Sequence, residues 1–374
     1  MKPLVRGERE FLWTAGGTRY IDAISGVYNT SYGHAHPHIM EAIREASESG
    51  ILNCYDNPYL SRRLLEDELC ALTGFNEIHL FSSGAETVEK ALMLALRSLP
   101  EKRRGVLHFK RGFHGKTMGT YGLFDSEAGE LPYHHCVGDA PDVSHGPGAE
   151  RQQLDAMRHM LEGDHGVVIL EPVMGYYGYI FSYSFLEEVK KVCDETDSIL
   201  VFDEMITSFG RAGVNFMSDR VKPDILVVGK GLGQGLPIMA VLFDKDGKVQ
   251  ADGFSWTTAT ANGPFLCQIG LASCQVLVQE KMAEKSWIVG SYLRDMLALY
   301  PNIYEHCDVR GIGSMVFVKL EESIDAHSVE VRLRNEQHVL TRAHGSTLVM
   351  MPPFITLRGS CREIAYALHK VLEK

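Results

Sequence analysis

Short apolar runs that end in polar or glycine-rich corners recur along the chain: Glu77–Phe81, Gly105–Phe109, Gly166–Pro172, Ser198–Glu204, Asp224–Lys230 and Ile238–Phe243. Runs of this length and character predict strands buried on both faces. Between them lie stretches with helical spacing. Tyr59–Leu72 sets Leu60, Leu64, Leu65, Leu69 and Leu72 on one stripe, and Ala85–Leu99 does the same with Val88, Ala91, Leu92, Ala95 and Leu99. The alternation predicts an α/β fold with a mostly parallel central sheet flanked by helices. Both ends of the chain read differently, with strand-like RYIDAI and SMVFVKL and helices around Ile39–Ser47 and Cys361–Glu373. We expect a large domain over residues 51–285 and a small α+β domain made from residues 1–50 and 286–374.

Composition narrows this picture. With 374 residues, 45% hydrophobic and 23% charged, the chain has material for a large core and is neither disordered nor fibrous. Lys and Arg total 37 against 48 Asp and Glu, a net charge of −11, which argues against nucleic acid and anionic membrane as partners. No apolar run approaches the roughly 18 residues of a membrane span. The opening MKPLVRGERE lacks the apolar core of a signal peptide, so a cytoplasmic protein is expected. The eight cysteines form no C-x-x-C pair and are read as reduced thiols.

Three strand-end corners carry chemistry, because ligands of open parallel sheets bind at the carboxyl ends of strands. In the first, Ser82-Ser83-Gly84-Ala85 joins a strand to a helix. The free N–H groups of a helix start, with a glycine permitting close approach, make a phosphate cradle, although Ser82 or Ser83 could equally serve as the helix cap. In the second, Asp203 and Glu204 close an apolar strand, and a buried carboxylate there needs a partner; Arg211 is a candidate. In the third, Lys230 ends an apolar strand among Gly229, Gly231, Gly233 and Gly235. The glycines spell neither a P-loop nor G-x-G-x-x-G. A lysine held against an apolar strand can have a lowered pKa and form a Schiff base. An anion pocket, a carboxylate and an amine together are the three anchors that pyridoxal phosphate requires.

Their order is similar to that of the class III aminotransferases, the ornithine, acetylornithine and omega-amino acid group of fold type I pyridoxal phosphate enzymes. The resemblance covers nearly the whole chain and rests on Tyr20-Ile21-Asp22, Gly33-His34-Ala35-His36-Pro37, Ser83-Gly84-Ala85-Glu86, Phe113-His114-Gly115, Glu171-Pro172-Val173, Asp203-Glu204, Phe209-Gly210-Arg211 and Gly229-Lys230-Gly231. It implies that Lys230 is the Schiff-base lysine and proton shuttle, and that Asp203 partners the pyridine nitrogen. It implies further that Ser83, Gly84 and Ala85 hold the phosphate, that Phe113, with His114 beside it, stacks on one face of the cofactor, and that Met205 covers the other. A threonine from the neighbouring subunit, Thr258 or alternatively Thr257, would complete the phosphate site of a homodimer with shared active sites.

The resemblance also implies ping-pong transfer between an amine or amino acid and a keto acid or aldehyde. A racemase or aminomutase on the same fold is the alternative, and a non-catalytic binding module a more distant one. His34, His36 and His38 alternate like a metal tract, but the resemblance makes Gly-His-x-His-Pro a structural segment, so no metal is expected. His-Gly-Lys stands at 114–116 where α-carboxylate-binding relatives commonly have His-Gly-Arg, and the arginine that often precedes the late Pro-Pro is missing from Val349–Met351. Lys116, Tyr176 and Tyr177 are therefore the candidate substrate contacts, with Arg62 and Arg310 as possible carboxylate anchors. A specialised or ω-amine substrate is expected over ornithine or acetylornithine.

Overall fold

The structure is a computed structural model that describes residues 2–53, 59–123, 135–138, 147–254 and 263–373. An N-terminal meander of β1 (Leu4–Glu8), β2 (Phe11–Thr14) and β3 (Arg19–Asp22) precedes the central sheet. That sheet is built from β4 (Glu77–Phe81), β5 (Gly105–Phe109), β6 (His135–Gly138), β7 (His165–Leu170), β8 (Ile199–Glu204), β9 (Ile225–Val228) and β10 (Met239–Phe243). Its order is β4-β10-β9-β8-β7-β5-β6. β5, β6, β7, β8 and β9 pair in parallel, while β10 runs antiparallel to both β9 and β4. β4 therefore points the same way as the parallel strands, and all their carboxyl ends meet at one edge.

Period-two alternation sends neighbouring side chains to opposite faces of the sheet. Leu200, Phe202, Leu226 and Val228 join one core cluster, whereas Ile199, Val201, Ile225 and Val227 join another. Both faces are thus covered, and every residue of β8 and β9 is buried. The apolar runs read from the sequence are consistent with this, since full burial of one Val, Leu or Ile contributes about 1.5–3 kcal/mol.

The helix Gly84–Arg97 starts where Ser83 Oγ accepts the Glu86 N–H at 3.3 Å and the Glu86 carboxylate accepts the Ser82 N–H at 3.2 Å. It buries Val88, Ala91, Leu92 and Ala95 on the sheet. The helix Leu60–Thr73 differs from expectation: Leu65 and Leu69 are fully buried, but Leu60 and Leu64 are exposed. Only part of its apolar stripe lies against the helix Pro264–Gln279, on which it packs.

Two smaller sheets follow from the chain ends. β13 (Val339–Leu340) adds in parallel to β3, extending the N-terminal meander. β11 (Cys307–Ile312), β12 (Met315–Leu320), β14 (Arg342–His344) and β15 (Thr347–Met350) form the third sheet, in the order β11-β12-β15-β14. Among the described residues no helix is long and apolar enough to cross a membrane.

Candidate active site

Adjacent strands β8 and β9 deliver the two chemically strongest groups. Asp203, 3% exposed, points from β8 into a cavity of about 290 Å³ that it shares with Lys230, Gly84, Ala85, Phe113, His114, Lys116, Glu171 and Met205. Its Oδ2 lies 2.8 Å from Nδ1 of buried His114, and its Oδ1 accepts the Met205 N–H at 3.1 Å. His114 is therefore the partner that this carboxylate needed. Arg211 is engaged elsewhere: its guanidinium donates to Ser31, Ser314 and the carbonyls of Met351 and Pro352. Glu204, one residue on and on the opposite face, accepts the N–H groups of Met217 and Ser218 and the Thr207 hydroxyl, fixing the following loop. Burial pushes its pKa up to about 6.

Lys230 opens the turn after β9 with φ of 38°, a left-handed backbone that is costly for a lysine and that aims the side chain into the cavity. Its Nζ sits 5.3 Å over the Tyr28 ring and has no ion-pair partner among the described residues. Burial lowers its pKa from the ordinary 10.5 to about 8, against the opposing pull of Glu171 and Asp203. Glu171, at the end of β7, accepts the N–H groups of Phe113 at 2.8 Å and Gly175 at 3.1 Å. Burial raises this carboxyl to about 7. The sequence carried the same strand-end signal for Glu171 as for Asp203, so this residue was legible though no role was assigned to it.

The remaining walls come from the helix start and from the loop after β5. The N–H groups of Gly84 and Ala85, the first in the helix, find no acceptor among the described residues and border the cavity. Gly115, at φ 124°, brings its loop so close that an added Cβ would fall 2.7 Å from the Ala85 Cβ. Met205 packs on Gly229, where an added Cβ would lie 2.1 Å from its sulfur, so glycine is required there. An amine, a carboxylate, an anion cradle and flat apolar walls surround one cavity, and this donor set fits pyridoxal phosphate.

The family model for class-III aminotransferases matches residues 2–372. The chain belongs to the class III aminotransferases. An acetylornithine aminotransferase of Agrobacterium fabrum is 30% identical to it over 378 residues, covering 96% of this chain and 90% of that protein. Ornithine aminotransferase 2 of Staphylococcus aureus is 29% identical, over 99% of this chain and 93% of its own. Among solved structures, an amine transaminase from an uncultivated Pseudomonas species, in a PLP-bound form, matches with a TM-score of 0.89 at 22% identity. It covers all of this chain and 95% of that one. The ornithine aminotransferase of Toxoplasma gondii matches with a TM-score of 0.85 at 22% identity, over 99% and 89%. This class III aminotransferase has the fold of the type I pyridoxal phosphate transferases, and pyridoxal 5'-phosphate is its cofactor.

The expected site residues fall into four groups. Lys230, Asp203, Gly84, Ala85, Phe113, His114, Met205 and Lys116 all border the cavity, whereas the Ser83 hydroxyl is committed to capping its helix. Tyr176 stands one layer back, stacked on Phe113 at 4.5 Å, and Tyr177 stacks beneath Arg111 at 5.5 Å, away from the cavity lining. Thr257 and Thr258 lie outside the described residues. Arg62 and Arg310 pair with Glu66 and Asp308 and do not reach the cavity lining.

One layer of the class III site escaped the sequence entirely. His344 on β14 stacks on Tyr176 at 3.9 Å and 7°, and its Nε2 lies 3.4 Å from the Tyr28 hydroxyl. Burial, followed by the charges of Arg342, Lys116 and Lys230, lowers His344 to about 4, so its ring is neutral. Tyr28 is pushed well up, chiefly by burial. No local pattern marks His344, because its neighbours Tyr28 and Tyr176 come from segments far away in the chain.

Proposed function

We propose that Lys230 holds pyridoxal 5'-phosphate, that Asp203 faces its ring nitrogen, and that the N–H groups of Gly84 and Ala85 receive its phosphate. The single observation that carries this reading is the convergence of these groups on one cavity. Bound there, the cofactor supplies an electron sink for the carbon bearing the amine. Asp203 keeps the ring nitrogen protonated through its negative charge, and His114, 2.8 Å away, holds that carboxylate in place. Phe113 and Met205 exclude water from the two faces of the ring. Lys230, with its pKa lowered to about 8, becomes a free amine at a far lower pH than an exposed lysine and moves the proton from the substrate carbon.

The substrate reading follows from the wall. Phe113 on the cavity wall, backed by the stacked rings of Tyr176 and His344, offers flat apolar surface, and Lys116, 5.6 Å over the Phe113 ring, offers a point charge without the bidentate fork of arginine. The donor is proposed to be an ω-amine or an amino-sugar-like amine in preference to ornithine or acetylornithine, with glutamate or alanine as counter-substrate. In a panel of donors, kcat/KM for ω-amines should exceed that for acetylornithine, with one keto acid consumed per donor. Efficient turnover of acetylornithine that disappears in Lys116→Ala contradicts this substrate reading, and turnover without keto acid consumption points to a racemase or aminomutase.

A homodimer with shared sites belongs to the same proposal. It is supported by the resemblance of the Thr257-Thr258 segment. It is also supported by a cavity of about 520 Å³ lined by Leu92, Leu96 and Phe254, with Met93 exposed at its rim. Mixing inactive Lys230→Ala and Thr258→Ala chains should recover activity as heterodimers form; a fully active monomer rules the shared site out. A cytoplasmic location accords with the free, buried thiols of Cys193, Cys267 and Cys274 and is checked by cell fractionation.

A further inference from the structure

The alternating histidines of Gly33–His38 are divided by the fold. His34 turns to Asp22, its Nε2 2.8 Å from Oδ2. His36 and His38 turn instead to Glu280, which lies far along the chain and ends the helix Pro264–Gln279. His36 Nε2 and His38 Nδ1 each lie 3.3 Å from the same oxygen, Glu280 Oε1. The three ligand atoms all fall within 4.8 Å of one another.

These distances decide between two kinds of contact. A charge-assisted hydrogen bond between an imidazolium and a carboxylate closes to about 2.7–2.9 Å. Two donors sharing a tetrahedral zinc ion, at zinc–ligand lengths near 2.0–2.1 Å, stand about 3.4 Å apart. Both histidine–carboxylate spacings, at 3.3 Å, fit the second, and the two imidazole nitrogens lie within 4.8 Å of each other. The other carboxylate oxygen, Oε2, is held by Lys285 Nζ at 2.9 Å, which orients Glu280 and leaves Oε1 for a single bond to a cation.

The three residues stand at the ends of two packed helices. His36 is the residue before Pro37 at the start of the helix Pro37–Glu48, and His38 is in its first turn. That helix packs on Pro264–Gln279 through Ile39, Ala42, Ile269 and Ala272. His36 is buried, whereas the side chain of His38 is 60% exposed, so one ligand can rotate into place and water can complete the coordination.

We propose that His36, His38 and Glu280 form a binding site for a divalent transition cation of the zinc class, separate from the cavity of Lys230. Two imidazoles and one monodentate carboxylate are a zinc-type donor set and a poor one for magnesium or calcium, which take oxygen ligands. The ion ties the start of one helix to the end of another more than two hundred residues on, and so stabilises by closing a long loop.

The test is calorimetric titration of zinc into the chelator-stripped holoenzyme, with magnesium as the control cation. Expected is one zinc per chain, bound tighter than roughly 10 μM, no magnesium binding, and a heat-unfolding midpoint that rises with zinc. His38→Ala and Glu280→Gln should each weaken zinc binding by about tenfold or more and abolish the thermal shift, because each removes a direct ligand. His159→Ala, an exposed histidine elsewhere, should leave both unchanged. Absence of zinc binding in the wild type, or retention of affinity to within less than about tenfold in both ligand variants, overturns the site.

Discussion

Borohydride reduction of the loaded enzyme is expected to fix the cofactor on Lys230, with peptide mapping finding the label there and on no other lysine. Lys230→Ala should lower kcat by about 10⁴-fold or more, since it removes both the covalent anchor and the group that moves the substrate proton. The pH dependence follows from burial. Lys230 is depressed from the ordinary 10.5 to about 8, so its free amine appears as the pH rises through about 8. Cofactor capture by the apoprotein should therefore accelerate across that pH, well below the range of an exposed lysine. Glu171 is one of the groups holding the lysine pKa up, so Glu171→Gln should move the midpoint to lower pH. A label on a different lysine, or a capture midpoint near 10.5, sinks the assignment.

Asp203→Asn should keep the fold and lose about 10³-fold in kcat. Asparagine is nearly isosteric and its carbonyl oxygen can still accept from His114, so the buried contact at 2.8 Å survives in neutral form. What disappears is the negative charge that holds the ring nitrogen protonated, and a charge acting in a water-excluded cavity is worth several kcal/mol of barrier. KM for the donor should change little, because the substituted group does not touch the part of the substrate that the aromatic wall and Lys116 recognise. Measurement of kcat alongside the heat-unfolding midpoint separates the two outcomes: unchanged turnover refutes the role proposed for Asp203, while a lost midpoint marks a folding defect.

Six of the seven strands of the central sheet were legible because each is a local apolar run whose burial needs little information from elsewhere in the chain, whereas the edge strand β6 (His135–Gly138), too short and polar to form such a run, was not. β8 and β9 fall within the apolar runs that end at Glu204 and Lys230, and the polar residues closing those runs stand at the carboxyl edge. Asp203 and Lys230 were visible for the same reason. The Ser83 ambiguity resolves into two roles in one place: the hydroxyl caps the helix while the N–H groups of Gly84 and Ala85 find no acceptor among the described residues. Chain order thus determined which residues reach the edge of the sheet.

The tertiary structure decided what each of them meets there. A buried charge must find a partner, but which one depends on how the crossovers fold back: His114 rather than Arg211 reaches Asp203. His344 enters the aromatic stack only because β14 lies beside Tyr176, and Glu280 meets His36 and His38 only because two helices distant in sequence pack together. Leu60 and Leu64 sit on a correct helix yet remain exposed, since the amount of an apolar stripe that is covered depends on the neighbouring element. Periodicity and strand ends are properties of adjacent residues and can be read along the chain; the pairing of side chains is set by long-range packing and cannot.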